Sequence, residues 1–377
     1  MHTSNSLDFM KQNHTFPGLL ALVVCLAFPV GTSAQTTPTS DSKLIVSAAD
    51  TAGAHAAPLF AGDSVLEFTL TCALRTLLKD RGDKPVGHPA LLTYADARQQ
   101  PVALALNVKV RGNFRRLSAN CSFPPLLLDF PKKTFRNTVF DDQNKLKLVT
   151  HCQIEEYVVR EYLVYKLYNL LTDLSFRARL ARVTYADSAG KRAPETRWAF
   201  LLEDEAAMAR RNGAKPDKLK QTNMGYVDSL SMATVAVFEY LIGNTDWSVP
   251  YRHNIRLVSV SDKARPLSVP YDFDHSGLVE AKYAFPAEQL NLESVRQRMY
   301  RGLPYPMPIF QKVFDRFNAV KPQLYALYAN ETRLNPGYVK RTLKYFDDFY
   351  AVINKPASVR TEFFQGARSN IVIQGLK

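Results

Sequence analysis

Three side chains between residues 242 and 277 have the types and the order needed for phosphoryl transfer. Asp246 follows Gly243 in a polar loop, Asn254 precedes a short hydrophobic run, and Asp272 follows the next one. In phosphoryl transfer one aspartate orients or deprotonates the acceptor, while an asparagine and a second aspartate hold the Mg²⁺ that neutralises phosphate charge. The pattern therefore predicts a catalytic residue at Asp246 and metal ligands at Asn254 and Asp272.

The two hydrophobic runs beside these residues predict a β-hairpin. Residues 255–260 and 266–271 are apolar enough for strands, and the polar residues 261–264 suit a turn between them. Such a hairpin brings Asn254 and Asp272 side by side, which is the arrangement that shared metal binding requires.

The same stretch permits two other metal sites, and both fit less well. Residues 272–277 mimic the start of a calcium loop, but Tyr283 occupies the twelfth position, where a bidentate glutamate belongs. His253 and His275 suggest zinc, yet neither has a second ligand at a typical zinc spacing. Each candidate residue taken singly has an ordinary structural explanation, so the combination carries the prediction.

The composition is that of a basic globular protein. With 377 residues, of which 46% are hydrophobic and 22% charged, the chain can bury one large or two medium cores. The formal charge of +13 favours an acidic partner. The Lys and Arg clusters are not interleaved with an aromatic platform, so we expect no nucleic acid partner.

The N-terminus predicts export. Residues 1–34 combine a charged start at Lys11, an apolar run over 16–30 that is too short to span a bilayer, and small residues up to Ala34. These features are typical of a signal peptide, with an uncleaved anchor as the alternative. The Ser, Thr and Ala-rich residues 35–58 predict a flexible tether. We expect a periplasmic or extracellular protein with no transmembrane segment in the mature chain.

Three cysteines follow the predicted cleavage site, in a compartment that should be oxidising. One disulfide and one free thiol is the simplest arrangement. Because Cys121 and Cys152 flank neighbouring predicted strands, we predict that they pair and leave Cys72 free. Three buried thiols are the alternative.

Hydrophobic periodicity divides the mature chain in two. Residues 59–203 alternate with period two, except for one helix predicted over 154–171. Residues 204–377 have a helical period and carry the hairpin. We expect an α+β fold with a strand-rich small lobe, which contains one helix, and a mainly helical large lobe. The helices predicted in the large lobe cover 227–242, 290–299, 308–320 and 338–353.

Taken together, several segments resemble the CotH (spore coat protein H) family of atypical secreted kinases. The resemblance covers roughly residues 102–279 and implies a two-lobed protein-kinase-like fold, ATP with Mg²⁺ or Mn²⁺, and phosphorylation of Ser or Thr in a secreted protein. The matching segments are Arg111-Gly112-Asn113, the Phe-Pro and Lys-Lys-Thr-Phe-Arg region that ends at residue 136, residues 145–148 before a helix, residues 200–203 at the lobe junction, and the series Asp246, Asn254 and Asp272-Phe273-Asp274.

The resemblance also implies roles for individual residues. Asp246 is then the catalytic aspartate, Asn254 and Asp272 are metal ligands, and Asp274 is an accessory one.

The phosphate-binding groups are assigned from the same comparison. A strand lysine paired with a helix glutamate is needed, and Lys147 with Glu161 fits, although Lys145 shares the strand face of Lys147. Either lysine also suits a charge that protects an edge strand. Arg111 replaces the absent glycine-rich loop over the phosphates, and Glu203 lies at the junction where the nucleotide binds.

Two functions of different classes follow. The first is an exported kinase that transfers the γ-phosphoryl of ATP to a protein or glycan hydroxyl on a secreted or surface acceptor. The alternative is a non-catalytic, pseudokinase-like module that binds an anionic ligand in the same cleft. Presence of all three acidic or amide positions favours the kinase.

We predict that the mature protein begins at Gln35, because the small residues before it suit signal peptidase. Intact mass and N-terminal sequencing of the protein from its own cell envelope measure this directly. Recovery of a cytoplasmic form that retains Met1 would contradict export.

Overall fold

The computed structural model describes residues 57–131, 135–219 and 222–367. The chain divides into two compact units, Met1–Ala49 and Asp50–Lys377, and every described residue belongs to the second. The predicted signal peptide and nearly all of the predicted tether lie outside the described residues.

Strands dominate the first half of the described chain. In the first strand the buried residues Leu66, Phe68, Leu70 and Cys72 alternate with more exposed ones, as expected for a sheet with one buried face. The strands are β1 (Leu66–Cys72), β2 (His88–Ala95), β3 (Pro101–Val110), β4 (Leu126–Asp129), β5 (Lys145–Val149), β6 (Ala178–Asp187), β7 (Glu195–Leu202), β8 (Lys215–Pro216), β9 (Ile255–Ser259) and β10 (Leu267–Pro270).

Seven of these strands close into a barrel in the order β1-β2-β3-β4-β5-β7-β6. The barrel neighbours are antiparallel except β1 and β6, which run parallel and join the two edges of the sheet. Closure leaves these strands without an exposed edge. Side chains such as Phe68, Leu106 and Val183 fill the interior. The remaining strands form a separate antiparallel sheet in the order β10-β9-β8.

The predicted two-lobed, protein-kinase-like α+β fold is wrong. The structure is a mixed α/β protein in which the strand-rich part is a closed barrel, unlike the sheet of a kinase small lobe. The physical reason is the parallel pairing of β1 with β6, which places Leu66 opposite Ala181. Residues so far apart in the chain leave no mark on local periodicity, so the sequence pattern could not indicate closure.

The helices lie mostly in the second half. Asp228 caps the long buried helix Ser229–Ile242 by accepting from the Ser231 amide, and Gly243 ends it in a left-handed conformation. No helix in the described ranges is both long and apolar enough to cross a bilayer. The helices are α1 (Leu74–Lys79), α2 (Glu155–Leu171), α3 (Glu205–Arg211), α4 (Ser229–Ile242), α5 (Met307–Ala319), α6 (Lys321–Ala329), α7 (Pro336–Ile353) and α8 (Pro356–Val359), with a π-helical turn at Arg360–Gln365 and 3₁₀ turns at Pro58–Phe60, Met224–Tyr226 and Glu288–Leu290.

Helix α2 connects the barrel to the helical part. Most of its 17 residues are buried, as expected of a helix packed on all sides. It contacts β6 and β7 on one side and α6 on another. The predicted helix over 154–171 is therefore confirmed, with its role as the central element of the fold added by the structure.

The helix predicted over 290–299 does not form. This stretch is fully described, and its helical content is the end of the 3₁₀ turn Glu288–Leu290. Arg296, Arg298 and Arg301 instead donate hydrogen bonds to backbone carbonyls of other segments. These bonds hold the segment in an irregular path, and we call the segment that carries the three arginines the arginine strap.

Cys121 and Cys152 form a disulfide, with 4.8 Å between their Cα atoms, and Cys72 is a buried free thiol. The predicted pairing is confirmed. The bridge ties the loop after β3 to the segment that leads into α2.

We predict that replacing both Cys121 and Cys152 by alanine lowers the free energy of unfolding by about 3 kcal/mol, since a closed loop of this length restricts the unfolded chain. Urea unfolding with and without reductant measures the loss. Reductant should destabilise the wild type and leave the double variant unchanged; equal sensitivity of both proteins would contradict the role of the bridge.

Candidate functional site

A buried guanidinium joins three carboxylates where the barrel, α2 and the hairpin meet. Arg115, in the loop after β3, places Nη1 3.0 Å from Glu161 on α2. Its Nη2 lies 2.9 Å from Asp272, and its Nε lies 3.2 Å from Asp274. Each nitrogen therefore serves a different carboxylate. We call these four residues the Arg115 cluster.

The Arg115 cluster contains more negative than positive groups. Burial raises the pKa of Glu161 to about 8, and burial also raises the pKa of Asp274 although Arg115 opposes it. Burial would lower the pKa of Arg115, but Asp274 and Glu161 hold it well above its usual value. Glu161 Oε1 has no hydrogen-bond partner among the described groups. The acidic groups thus outnumber the single arginine, and the cluster retains a proton near neutral pH.

Asp246 is positioned by the end of α4. Gly243 has a φ of 67°, and a Cβ there would clash with the Tyr345 hydroxyl and lie 2.8 Å from the Val295 carbonyl. A glycine is required for both reasons. The next residue, Asn244, accepts from the Asp246 amide at 3.0 Å and fixes the loop. Gly243 thus lets the chain leave α4 in a sharp turn.

Both carboxylate oxygens of Asp246 have partners in the site. Oδ1 lies 2.8 Å from His253 Nε2, and Oδ2 accepts from the Asn254 side-chain amide at 3.1 Å. Burial alone would raise the pKa of Asp246, but the hydrogen bond and charge of His253 lower it overall. The same bond raises the pKa of His253. Asp246 is therefore held as a carboxylate in a fixed orientation.

The predicted hairpin is confirmed as β9 and β10, with Ile255 opposite Pro270. Just beyond this pair, the Tyr271 amide donates to the Asn254 carbonyl at 3.0 Å. Asn254 and Asp272 have φ values of 52° and 64°. Left-handed conformations are uncommon for residues other than glycine and often occur at functional sites.

The donor atoms fit a divalent cation held together with phosphates. The Asp272 side chain is 42% exposed and so remains accessible, whereas Asp274 is bound by both Arg115 and Tyr283. Asn254 keeps an amide oxygen, because its bonds to Asp246 use the nitrogen. Over the described ranges no three His, Cys, Asp or Glu side chains are grouped as a metal site. Mg²⁺ commonly takes only one or two carboxylates and completes its shell with phosphates and water.

Cationic side chains lie around Tyr271, the residue before Asp272. Lys147 Nζ is 5.5 Å from the centre of the Tyr271 ring, and the Arg256 guanidinium is 4.3 Å from it. Burial, together with the charges of Arg111 and Arg256, lowers the pKa of Lys147 to about 8. The predicted phosphate-binding residues Arg111 and Lys147 are thus brought together, and Arg256 joins them while also pairing with Glu205 at 2.9 Å.

Two details differ from the sequence predictions. Glu161 pairs with Arg115 rather than with Lys147, and Lys145 lies exposed. Glu203 is buried, and Arg211 contacts both of its carboxylate oxygens, at 3.1 and 2.9 Å. Because the Glu203 side chain is fully engaged within the protein, its local role is structural.

Three functional candidates were missed by sequence reasoning, namely Arg115, Arg256 and Arg301, and His253 was considered only as a zinc ligand and not as the partner of Asp246. Arg115 was visible as a member of the basic run 111–116, but no pattern distinguished it from its neighbours. Arg301 donates to the carbonyls of Thr245 and Trp247 and so braces the Asp246 loop from the arginine strap.

A groove of about 1220 Å³ lies elsewhere, along the barrel wall beside Thr69, Arg182 and Thr184. Its lining includes none of the predicted site residues. We regard the Asp246 region as the candidate site because charged groups of opposite sign converge there.

The chain matches no protein-family model and no curated protein sequence, so the geometry is the basis for any function.

We predict that Glu161→Gln removes part of the pH dependence of stability. The folded protein keeps Glu161 protonated up to about pH 8, while the unfolded chain ionises it near 4.5, so wild-type stability should fall as pH rises between these values. Urea unfolding at pH 5 and pH 8, in EDTA, should show a fall smaller by about 1 kcal/mol or more in the variant. An identical fall in both proteins would refute the raised pKa.

Proposed function

We propose that the protein is an exported, CotH-like kinase that transfers the γ-phosphoryl of ATP to a hydroxyl of a secreted or surface protein, with a glycan hydroxyl as the other acceptor class. The proposal rests on the site and not on the fold, since the barrel differs from a kinase small lobe. The observation that carries it is the contact of Asp246 with Asn254 beside a hairpin that ends in Asp272.

The first step in the proposed reaction is orientation of the acceptor. The carboxylate of Asp246 is fixed by His253 and Asn254, so it can accept a hydrogen bond from a hydroxyl without reorganising. Its lowered pKa favours orientation of the hydroxyl over full removal of the proton before transfer. As the hydroxyl oxygen bonds to the γ-phosphorus, the bond from that phosphorus to the β–γ bridging oxygen breaks and ADP leaves. The carboxylate of Asp246 takes up the proton of the hydroxyl.

Phosphate binding is assigned to the cations beside Tyr271. Arg111, Lys147 and Arg256 present positive charge next to Asp272. Positive groups at this place favour the negative oxygens of a triphosphate, and partial burial strengthens the attraction. The pKa of Lys147, about 8, leaves it mostly protonated near neutral pH in the absence of ligand.

Asp272 and Asn254 would hold Mg²⁺ or Mn²⁺, with Asp274 as an accessory ligand. When bound, the ion supplies positive charge that neutralises the β and γ phosphates. The part played by the protein is to aim Asp272 and Asp274, which Arg115 does through two of its three nitrogens.

Compartment and acceptor are part of the proposal. The predicted signal peptide favours action in the periplasm or outside the cell, and the formal charge of +13 favours an acidic acceptor. Such an acceptor would be attracted by the protein as a whole before any specific contact forms.

We predict that Asp246→Asn binds ATP and Mn²⁺ as well as the wild type does but transfers phosphoryl about 10² to 10⁴ times more slowly, because loss of an acid–base group acts mainly on the transition state. Asp272→Ala should instead lose the metal-dependent gain in thermal stability on adding ATP. Asp262→Asn, in the exposed turn of the same hairpin, is the matched control.

Labelling from γ-labelled ATP and thermal shift with and without Mn²⁺ measure the two effects. Equal labelling by wild type and Asp246→Asn would exclude catalysis by Asp246. Metal-dependent ATP binding without any labelling, across metals and acceptors, would favour the non-catalytic binding module.

A further inference from the structure

We propose that the groove between the arginine strap and α7 docks an acidic segment of the acceptor protein. The inference extends the proposed function and rests on it, because the docked protein is an acceptor only if this protein is a kinase. The groove has a volume of about 500 Å³. Its charged lining consists of four cations and one carboxylate, which are Arg296, Arg298, Arg341, Lys344 and Asp348.

The cations of the groove have few carboxylate partners. Arg296 and Arg341 share Glu280, each at 3.7 Å, and Arg160 lies at the same distance from that carboxylate. Lys344 lies 3.7 Å from Asp348. Arg298 has no ion pair in the described ranges. The groove therefore keeps an excess of positive charge.

Part of this charge has a structural use. Arg298 donates to the Leu241 carbonyl at the C-terminal end of α4, where a cation suits the helix dipole. Arg296 donates to the Gly277 carbonyl at 3.3 Å. Arg298 and Arg296 therefore have a structural role. Among the described residues no such contact accounts for Arg341 and Lys344, whose side chains are 58% and 79% exposed. These two cations are exposed and their ion pairs are long, at 3.7 Å, so they are the groups most accessible to a partner.

The chemistry of the groove favours carboxylates over nucleic acid. The ring of Tyr345 is covered by Arg298 at 3.4 Å and by Arg296 at 4.6 Å from its centre. Tyr345 and Tyr240, the aromatic residues of the lining, are both buried, so neither offers an open face on which a base could stack. Guanidinium groups match the geometry of carboxylates, as Arg341 can do for Asp or Glu side chains.

The groove lies close to the proposed catalytic residue. The backbone of Gly243 packs against Tyr345, whose hydroxyl would clash with a Cβ there. Asp246 follows three residues later, so its Cα lies within roughly 11 Å of Gly243. Tyr345 thus links the lining of the groove to the turn that leads to Asp246.

The test compares two double variants with the same change in charge. Arg341→Glu with Lys344→Glu alters the groove, while Lys312→Glu with Lys340→Glu alters exposed lysines that do not line it. The probe is a fluorescently labelled serine peptide rich in Asp and Glu, and its counterpart carries Asn and Gln. Fluorescence anisotropy on the mature protein, in the absence of ATP, measures binding.

We expect the acidic peptide to bind the wild type and the control variant alike, and the groove variant about tenfold more weakly. The neutral peptide should bind weakly to all three, and added salt should reduce the difference. If the acidic peptide binds both variants equally weakly, net charge alone explains the loss and the proposal of docking in the groove is wrong. Equal binding of the two peptides, or of a single-stranded oligonucleotide, would overturn the choice of ligand.

Failure of the groove and failure of the proposed function are distinguishable. Thermal unfolding of each variant checks that it is folded, and labelling from γ-labelled ATP is measured on the same samples. If labelling that depends on Asp246 occurs but the groove variant binds the peptide normally, the docking proposal alone falls. If peptide binding depends on the groove and no labelling occurs, the kinase proposal falls and the docking surface stands.

Discussion

The guanidinium of Arg115 is the group on which the arrangement of the site depends. It is buried among carboxylates from α2 and from the turn after β10, and it contacts each of them with a different nitrogen. Without it, the three acidic side chains would adjoin one another with no cation between them, and repulsion between their charged forms would favour protonation or separation. One side chain from the barrel thus fixes how the hairpin meets α2, and so where Asp272 lies.

The loop of Asp246 is fixed differently, by backbone contacts. Gly243 allows the chain to leave α4 in a left-handed turn against Tyr345, and Arg301 binds the carbonyls on either side of Asp246. The arginine strap therefore fixes the position of the Asp246 loop, as Arg115 fixes the positions of Asp272 and Asp274. In both places the several donors of one arginine hold more than one acceptor at once. The strap also borders the basic groove, which links the support of the loop to a surface that can receive a partner.

How far the sequence could predict the site follows from the range of each interaction. Residues 255–270 fold as a hairpin because apolar runs and a polar turn are adjacent in the chain, so Asn254 and Asp272 could be placed near each other from the pattern alone. The pairing of Glu161 with Arg115 could not be predicted in this way, because nothing in the local sequence distinguishes Arg115 from the other basic residues around it. The helix expected over 290–299 failed for a related reason. Its arginines make bonds outside the segment, and those bonds override a helical period.

By itself, the sequence determined the local elements: the alternating strands, the buried helix α2, the hairpin and the disulfide between Cys121 and Cys152. Each follows from neighbouring residues or, for the disulfide, from the small number of cysteines. Only the tertiary structure decided that β1 pairs with β6 to close a barrel, that Arg115 holds the carboxylates and that Glu203 is used internally by Arg211. The first two contacts join segments distant in the chain, and the third joins Glu203, which precedes the N-cap of α3, to the last residue of that helix. Their free energy comes from shared burial and charge compensation, which no local pattern of residue types records.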